Sequence, residues 1–503
     1  MRTYTLWKEL PDGNRRAAHK SRGRDWNSRG QNMLEIRRYR QAESLQEAWE
    51  LNQKKENRVI GGMLWLKMSR GRCGTAIDLS GLGLDRIEED DEAFRIGCMA
   101  TLRQLETHPA LNAYSCGAVR DAVKSIVGVQ FRNLATVGGS VWGRFGFSDV
   151  LTVFTALGAS VELYKRGILP IEEFAALPYD RDLLVRIIVP KCGAGKAGFA
   201  ALSVRNSATD FPVLTVAAGY FHGTCPGIRV AVGARPQKAV LLEDPEGILK
   251  DGVTAESAAA YGAWAAEQVP VGSNLRGSAD YRKHLTEVLV RRALLKAAAA
   301  GDAAAADTPP GAGSAGGDRM PMEADHNSGK TAPLGADSGG GSAADAPGVI
   351  TFELNGRTVR REISADLLLI DMVREEGALS VKRGCETSNC GLCTVLLDDL
   401  PVLSCSVLAA RAAGRKVTTL EGMQEEAAEF GAFIADQGAE QCGFCNPGFM
   451  MNAMALFRED PDPSEEKIKA YLAGNLCRCS GYEGQLRGIQ DYLAWKKRKE
   501  GTH

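Results

Sequence analysis

The chain has no long hydrophobic run. Its longest apolar stretch, around Val150 to Leu163, is too short and too interrupted to span a bilayer. It also lacks net charge: 61 Lys and Arg against 62 Asp and Glu leave −1 at neutral pH. That removes any bulk electrostatic case for nucleic acid or a membrane surface. Residues 1–32 are polar and rich in Arg and Lys, without the apolar core of a secretory signal. The basic run Arg15 to Arg24 is expected to be a disordered extension rather than a nucleic-acid arm. Met33, where patterned sequence begins, is an alternative expected start. No HExxH metal site and no convincing Ser/His/Asp triad occurs. His284, on a basic helix face, is expected at the surface, so no catalytic side chain is assigned. The G-x-G-x-x-G dinucleotide fingerprint is missing as well, so a tightly bound nicotinamide cofactor is not indicated.

What the chain does have is cysteine, and most of it lies in one stretch. Eight of 13 cysteines fall between Cys385 and Cys479, in two patterns of four. The first is Cys385-x4-Cys390-x2-Cys393, closed by Cys405, the spacing of a plant-type [2Fe–2S] loop. The second is Cys442-x2-Cys445, closed by Cys477-x-Cys479 where helix ends are expected to meet. Zinc also accepts four thiolates, but the C-x4-C-x2-C triplet and the C-x-C pair both fit zinc poorly. Disulfides need an oxidising compartment, which nothing here indicates. The spacings favour two [2Fe–2S] clusters. Cys73, Cys98, Cys116, Cys192 and Cys225 show no pairing motif and read as free thiols of a reducing cytoplasm.

Glycine is concentrated at two places in the first half. Arg58-Val-Ile-Gly-Gly-Met-Leu-Trp-Leu reads as a strand running into two glycines. Glycines there let backbone N–H groups approach a phosphate, although most such pairs are simple turns. The second place is Thr136-Val-Gly-Gly-Ser-Val-Trp-Gly, followed by Asp149.

Three segments carry a family resemblance: Gly384-Cys-Glu-Thr-Ser-Asn-Cys-Gly-Leu-Cys-Thr-Val, Gln441-Cys-Gly-Phe-Cys-Asn-Pro-Gly and Asn475-Leu-Cys-Arg-Cys-Ser-Gly-Tyr. They resemble the iron–sulfur portion of the xanthine dehydrogenase family of molybdenum hydroxylases. Thr387, Ser388 and Asn446 depart from its usual loops, but none is a ligand. The two glycine segments resemble the FAD-binding subunit of the same family, as does Arg276-Gly-Ser-x-x-Tyr-Arg. The resemblance implies flavin contacts from Val59, Ile60, Gly61, Gly62, Met63, Leu64, Trp65 and Leu66. It adds Thr136, Gly138, Gly139, Ser140, Asp149 and Leu184, with Ser140 and Ser203 as departures. It further implies that Gln441 touches a pterin, that the second cluster receives electrons, and that the first passes them to FAD.

A stretch of Ala, Gly, Ser, Pro and Asp divides the chain into two halves, and too little apolar surface lies there to offset ordering entropy. The expected architecture is α+β and multidomain. A basic extension occupies 1–32, flavin-binding α/β lobes 33–185 and a flavoprotein C-terminal domain 186–297. A flexible linker spans 298–347, a β-grasp ferredoxin domain 348–422 and a four-helix [2Fe–2S] domain 423–498. The flavin half precedes the iron–sulfur half, reversed from single-chain family members, and the linker is expected to let each half dock independently. By resemblance, the chain is an oxidoreductase subunit that serves a large molybdopterin-binding partner in a hetero-oligomer, with a dimer of heterodimers as one assembly to be expected. NAD or another acceptor takes the electrons, and the substrate is a purine, another N-heterocycle or an aldehyde. The competing readings are a stand-alone flavin/iron–sulfur reductase or electron-transfer protein, and a non-catalytic iron–sulfur regulator.

Overall fold

The computed structural model describes residues 34–191, 197–221, 227–306 and 348–500. The basic extension, most of the linker, Cys192 and Cys225 lie outside these residues.

The chain opens with a parallel sheet in the spatial order Glu35–Gln41, Arg72–Asp78, Arg58–Ile60. Its central strand is buried from Cys73 to Asp78 on both faces, as a parallel strand covered by crossovers must be. The first crossover helix, Leu45–Asn52, starts at Ser44, whose hydroxyl accepts from the Glu47 N–H at 3.1 Å. The reciprocal half of a capping box is displaced by one residue: the Glu47 carboxylate accepts from Glu43 N at 2.8 Å instead of from Ser44 N.

The second lobe is a five-stranded antiparallel sheet, in the order Ile87–Glu89, Ala93–Gly97, Leu184–Pro190, Ser160–Leu163, Gly167–Pro170. Leu184–Pro190 is its middle strand, so a domain boundary at 185/186 would cut through this sheet. The break falls after Pro190 instead, because the strand's hydrogen bonds all belong to this lobe.

The C-terminal flavoprotein domain pairs Val240–Leu242, Ile228–Gly233, Pro212–Phe221 and Ala197–Arg205 antiparallel, under helices Ala255–Gln268 and Ala279–Ala306. The Arg-Gly-Ser-x-x-Tyr-Arg motif is structural. Arg282 is buried and donates to Val213 O at 2.8 Å, to Gly272 O and Gly277 O at 2.6 Å each, and to Asn274 Oδ1 at 2.6 Å. The last helix runs to Ala306, so residues 298–306, expected to begin the linker, are helical. Alanine supplies the propensity. The helix also docks: a Cβ on Gly198 would lie 2.0 Å from Ala297 O and 2.3 Å from Gly301 N.

After the linker, Gly348–Leu354 and Arg357–Ile363 form a hairpin through Asn355 (φ 53°) and Gly356 (φ 78°), both left-handed as a type I′ turn requires. The mixed sheet continues through Lys416–Thr418, Thr394–Leu397 and Leu400–Leu403, with helix Leu369–Glu375 beside it. Helices Gln424–Asp436, Asn446–Glu459, Glu465–Leu472 and Glu483–Glu500 then pack around Phe430, Phe457 and Tyr492.

The halves are not two independent bodies. The apolar core of the flavin lobes continues into that of the ferredoxin domain, and Val129 joins the core of the helical domain. The docking between them is a built, apolar interface.

Candidate functional site

The two glycine loops, far apart in sequence, meet at one hydroxyl. A Cβ on Gly61 would lie 2.5 Å from Thr136 Oγ1, and one on Gly139 would lie 3.1 Å from the same atom. Thr136 itself accepts from the Gly139 N–H at 3.1 Å. Beside this contact lies a cavity of about 500 Å³. Val59, Ile60, Gly61, Leu66, Thr136, Gly138, Gly139 and Leu184 line it, eight of the positions expected to hold a flavin.

The other expected positions are placed elsewhere, each for a physical reason. Gly62 is a packing glycine, because a Cβ there would lie 1.9 Å from Leu134 O. Met63 and Leu64 are buried in the core, whereas Trp65 is 43% exposed among Phe145, Phe147 and Phe211. Ser140 donates its hydroxyl to Thr136 O at 3.0 Å. Asp149 is buried with both oxygens occupied, by Arg205 Nη2 and Thr215 Oγ1 at 2.6 Å each. Burial holds its carboxyl above the usual carboxylate range despite Arg205. Asp149 supports the wall of the flavoprotein rather than lining the cavity.

The first cysteine quartet lies at the seam between the halves. Cys390, Cys393 and Cys405 are buried and Cys385 is exposed. The loop between Cys385 and Cys390 turns back through left-handed residues, Glu386 (φ 55°) and Ser388 (φ 68°). Three N–H groups thereby converge on Cys385 Sγ, from Thr387 at 3.4 Å and from Asn389 and Cys390 at 3.3 Å. Such a nest of amides stabilises negative charge on sulfur. Contact with Cys390 and these amides bring the Cys385 thiol down to about 4. Contact with Cys393 and the ammonium of Lys67 bring Cys405 down to about 6.

The second quartet is more open: Cys442 and Cys479 are exposed, and their sulfurs are 3.7 Å apart. Cys445 lies against Cys477, whose sulfur also accepts from Cys479 N at 3.4 Å and Ser480 N at 3.3 Å. Tyr482 fixes this turn, its hydroxyl accepting from Cys477 N at 2.9 Å and donating to Cys477 O at 3.0 Å. The two loops are tied by one backbone bond, Leu476 N to Cys390 O at 2.9 Å, placing Cys477 one residue from the first loop. Glycines make that approach possible, since a Cβ on Gly391 would lie 2.4 Å from Gly474 O. Gln441 is exposed beside Cys442.

The sulfurs associate in pairs: Cys385 with Cys390, Cys393 with Cys405, Cys442 with Cys479, and Cys445 with Cys477. One tetrahedral zinc would gather all four thiolates of a set around itself. A two-iron cluster held by four cysteines asks for two per iron, which is the pairing observed.

Four family descriptions match in succession. They are "FAD binding domain in molybdopterin dehydrogenase" over 33–192, "CO dehydrogenase flavoprotein C-terminal domain" over 201–297, "2Fe-2S iron-sulfur cluster binding domain" over 352–418 and "[2Fe-2S] binding domain" over 419–490. The small FeS subunit of nicotinate dehydrogenase from Eubacterium barkeri is 40% identical over 136 residues, which are 26% of this chain and 87% of that subunit. The iron-sulfur-binding subunit of xanthine dehydrogenase from Escherichia coli O157:H7 is 43% identical over 149 residues, 28% of this chain and 93% of that subunit. The chain belongs to the molybdenum hydroxylase family. A carbon monoxide dehydrogenase chain from Hydrogenophaga pseudoflava superposes with 24% identity and a TM-score of 0.48, over 52% of this chain and 98% of its own.

In this molybdenum hydroxylase chain, sequence reasoning missed the residues that join the halves. Lys67 reaches Cys405, Gln130 donates to Gly474 O at 3.0 Å, and Arg411 reaches Gly61 O at 2.7 Å. No local signal marks them; each is an ordinary polar residue until the fold supplies its partner. No helix among the described residues is long and apolar enough to cross a membrane.

Proposed function

We propose that this chain is the electron-transfer portion of a molybdenum hydroxylase, receiving electrons from a molybdopterin-bearing partner and passing them to a flavin and then to NAD or another acceptor. The observation that carries the reading is the succession of a paired-thiol site at the surface, a second at the seam between halves, and a glycine-lined cavity behind it. Bound there, the clusters would carry single electrons and FAD one or two. Cys442/Cys479 and Cys445/Cys477 hold the entry cluster, and Cys385/Cys390 and Cys393/Cys405 hold the exit cluster. Gly61, Thr136 and Gly139 receive the flavin dinucleotide.

The exposed pair Cys442 and Cys479 sits among exposed Phe444, Leu476 and Tyr482. Solvent-exposed apolar groups around a cluster site favour a covering partner over a stand-alone reductase or a regulator. Gln441, at the same surface, offers an amide that both donates to and accepts from a pterin ring. The substrate, a purine, another N-heterocycle or an aldehyde, meets the partner and not this chain, and the assembly is a hetero-oligomer.

The test is metal and cofactor content of the protein purified with whatever large chain accompanies it. Four iron, four sulfide and one flavin per chain, with molybdenum on the companion, are expected by the two-cluster reading. A colourless zinc protein, or a loaded chain that never carries a companion, would overturn it.

A further inference from the structure

Lys67 belongs to the flavin half, yet its ammonium is committed entirely to the iron–sulfur half. Only 2% of the residue is exposed. Its Nζ donates to Cys405 O at 3.0 Å, to Cys405 Sγ at 3.2 Å and to the Ser406 hydroxyl at 2.9 Å. An ammonium has three protons, and all three have an acceptor. The Ser406 hydroxyl is in turn 2.8 Å from that of Ser388, which is 1% exposed. Ser388 is one of the loop residues that departs from the family pattern, and it closes a buried chain Ser388–Ser406–Lys67–Cys405.

Lys67 is also covalently next to Leu66, which lines the glycine-loop cavity. The short turn Leu66–Met68 is therefore the wall between the two sites. One residue faces the cavity and the next touches a cluster ligand.

We propose that Lys67 is a positioning residue that raises the reduction potential of the cluster held by Cys385, Cys390, Cys393 and Cys405, through its charge and its hydrogen bond to the Cys405 sulfur. This inference rests on the two-cluster reading. Adding one electron to a cluster adds one negative charge and breaks no bond, so a fixed cation beside a ligand sulfur favours the reduced form. Burial strengthens the effect, because the charge is poorly screened by water. Net charge and hydrogen bonds to sulfur are the levers that set such potentials. Supplied by the flavin half, the lysine makes the cluster a better electron acceptor only when the halves are docked.

The test is an EPR-monitored potentiometric titration of the full chain as wild type, Lys67→Met and Lys67→Arg, with iron and sulfide measured in each. Lys67→Met should move one cluster signal to lower potential and leave the other in place. We expect at least a tenfold fall in the reduced-to-oxidised ratio at fixed ambient potential, which is about 59 mV for a one-electron centre. Lys67→Arg keeps the charge and should recover most of the shift. Two intact signals with unmoved potentials in Lys67→Met would overturn the inference alone. Loss of the same cluster from both variants would overturn it in favour of a merely structural lysine. A wild-type chain without two cluster signals would overturn the cluster reading, and this inference with it.

Discussion

Arg411 of the iron–sulfur half forms a two-pronged ion pair with Asp78 of the flavin half. Nε lies 2.7 Å from Oδ2 and Nη2 lies 2.8 Å from Oδ1, while the remaining Nη1 donates to Gly61 O at 2.7 Å. The Asp78 carboxylate is fully buried and also accepts from the Tyr39 hydroxyl at 2.6 Å and from Ser80 N at 3.0 Å. Burial alone would raise its pKa, but Arg411 and these hydrogen bonds hold it below the usual carboxylate range. The pair is thus desolvated yet fully satisfied, and it fixes the carbonyl of a cavity-lining glycine.

Removing one member of such a pair strands the other. Arg411→Leu should destabilise the protein by about 3–5 kcal/mol, the usual consequence of an uncompensated buried charge. It should also lower flavin content, although Arg411 lies in the half that does not bind flavin. Thermal unfolding and the flavin-to-protein ratio after gel filtration measure both. Full flavin occupancy would show that the halves act separately.

Gly62 and Gly139 should fail differently. A Cβ on Gly62 meets Leu134 O at 1.9 Å, so Gly62→Ala should give little folded protein. A Cβ on Gly139 meets only Thr136 Oγ1 at 3.1 Å, so Gly139→Ala should fold and keep both cluster absorbances. It should bind flavin at least tenfold more weakly, because the methyl group occupies the space needed by the ligand (about 1.4 kcal/mol per factor of ten). Normal flavin affinity in Gly139→Ala would move the cofactor elsewhere.

Cys98 lines the same cavity, and burial pushes its thiol up to about 12. Alkylation needs the thiolate, which is scarce at any pH below that value. Iodoacetamide should therefore leave Cys98 unmodified in the native protein from pH 7 to about 9 and label it once the protein is unfolded. Peptide mass spectrometry reads the outcome, and labelling of native protein at pH 8 would contradict the buried placement.

Cys390→Ala should remove one EPR signal and spare the other along with the flavin. Mixed rapidly with substrate in complex with its partner, this variant should leave the flavin oxidised while the surviving cluster is reduced. Flavin reduction at the wild-type rate would refute the order of transfer.

Gln441→Ala should leave iron, sulfide and flavin unchanged, since its side chain is exposed and supports no part of either cluster loop. Only transfer from the partner should slow, measured as the rate of cluster reduction by substrate. An unchanged rate would remove Gln441 from the partner interface.

Much of this protein was determined by local sequence. Cysteine spacing named both clusters because the ligands of a cluster come largely from one tight loop, so their geometry is written in a few residues. Asn355-Gly356 specified its hairpin because both residues must take positive φ, and the glycine loops announced a cavity for similar local reasons. Tertiary structure alone decided what depends on distant partners. Lys67 finds Cys405 across 338 residues and Arg411 finds Asp78 across 333. Neither lysine nor arginine carries any local mark of such a role. Asp149 is another case: its place after a glycine loop carries no sign of the bonds to Arg205 and Thr215 that the fold gives its two oxygens. Composition between the halves says nothing of whether they stay apart; that was settled by apolar surface and buried charge that become complementary only once each half has folded.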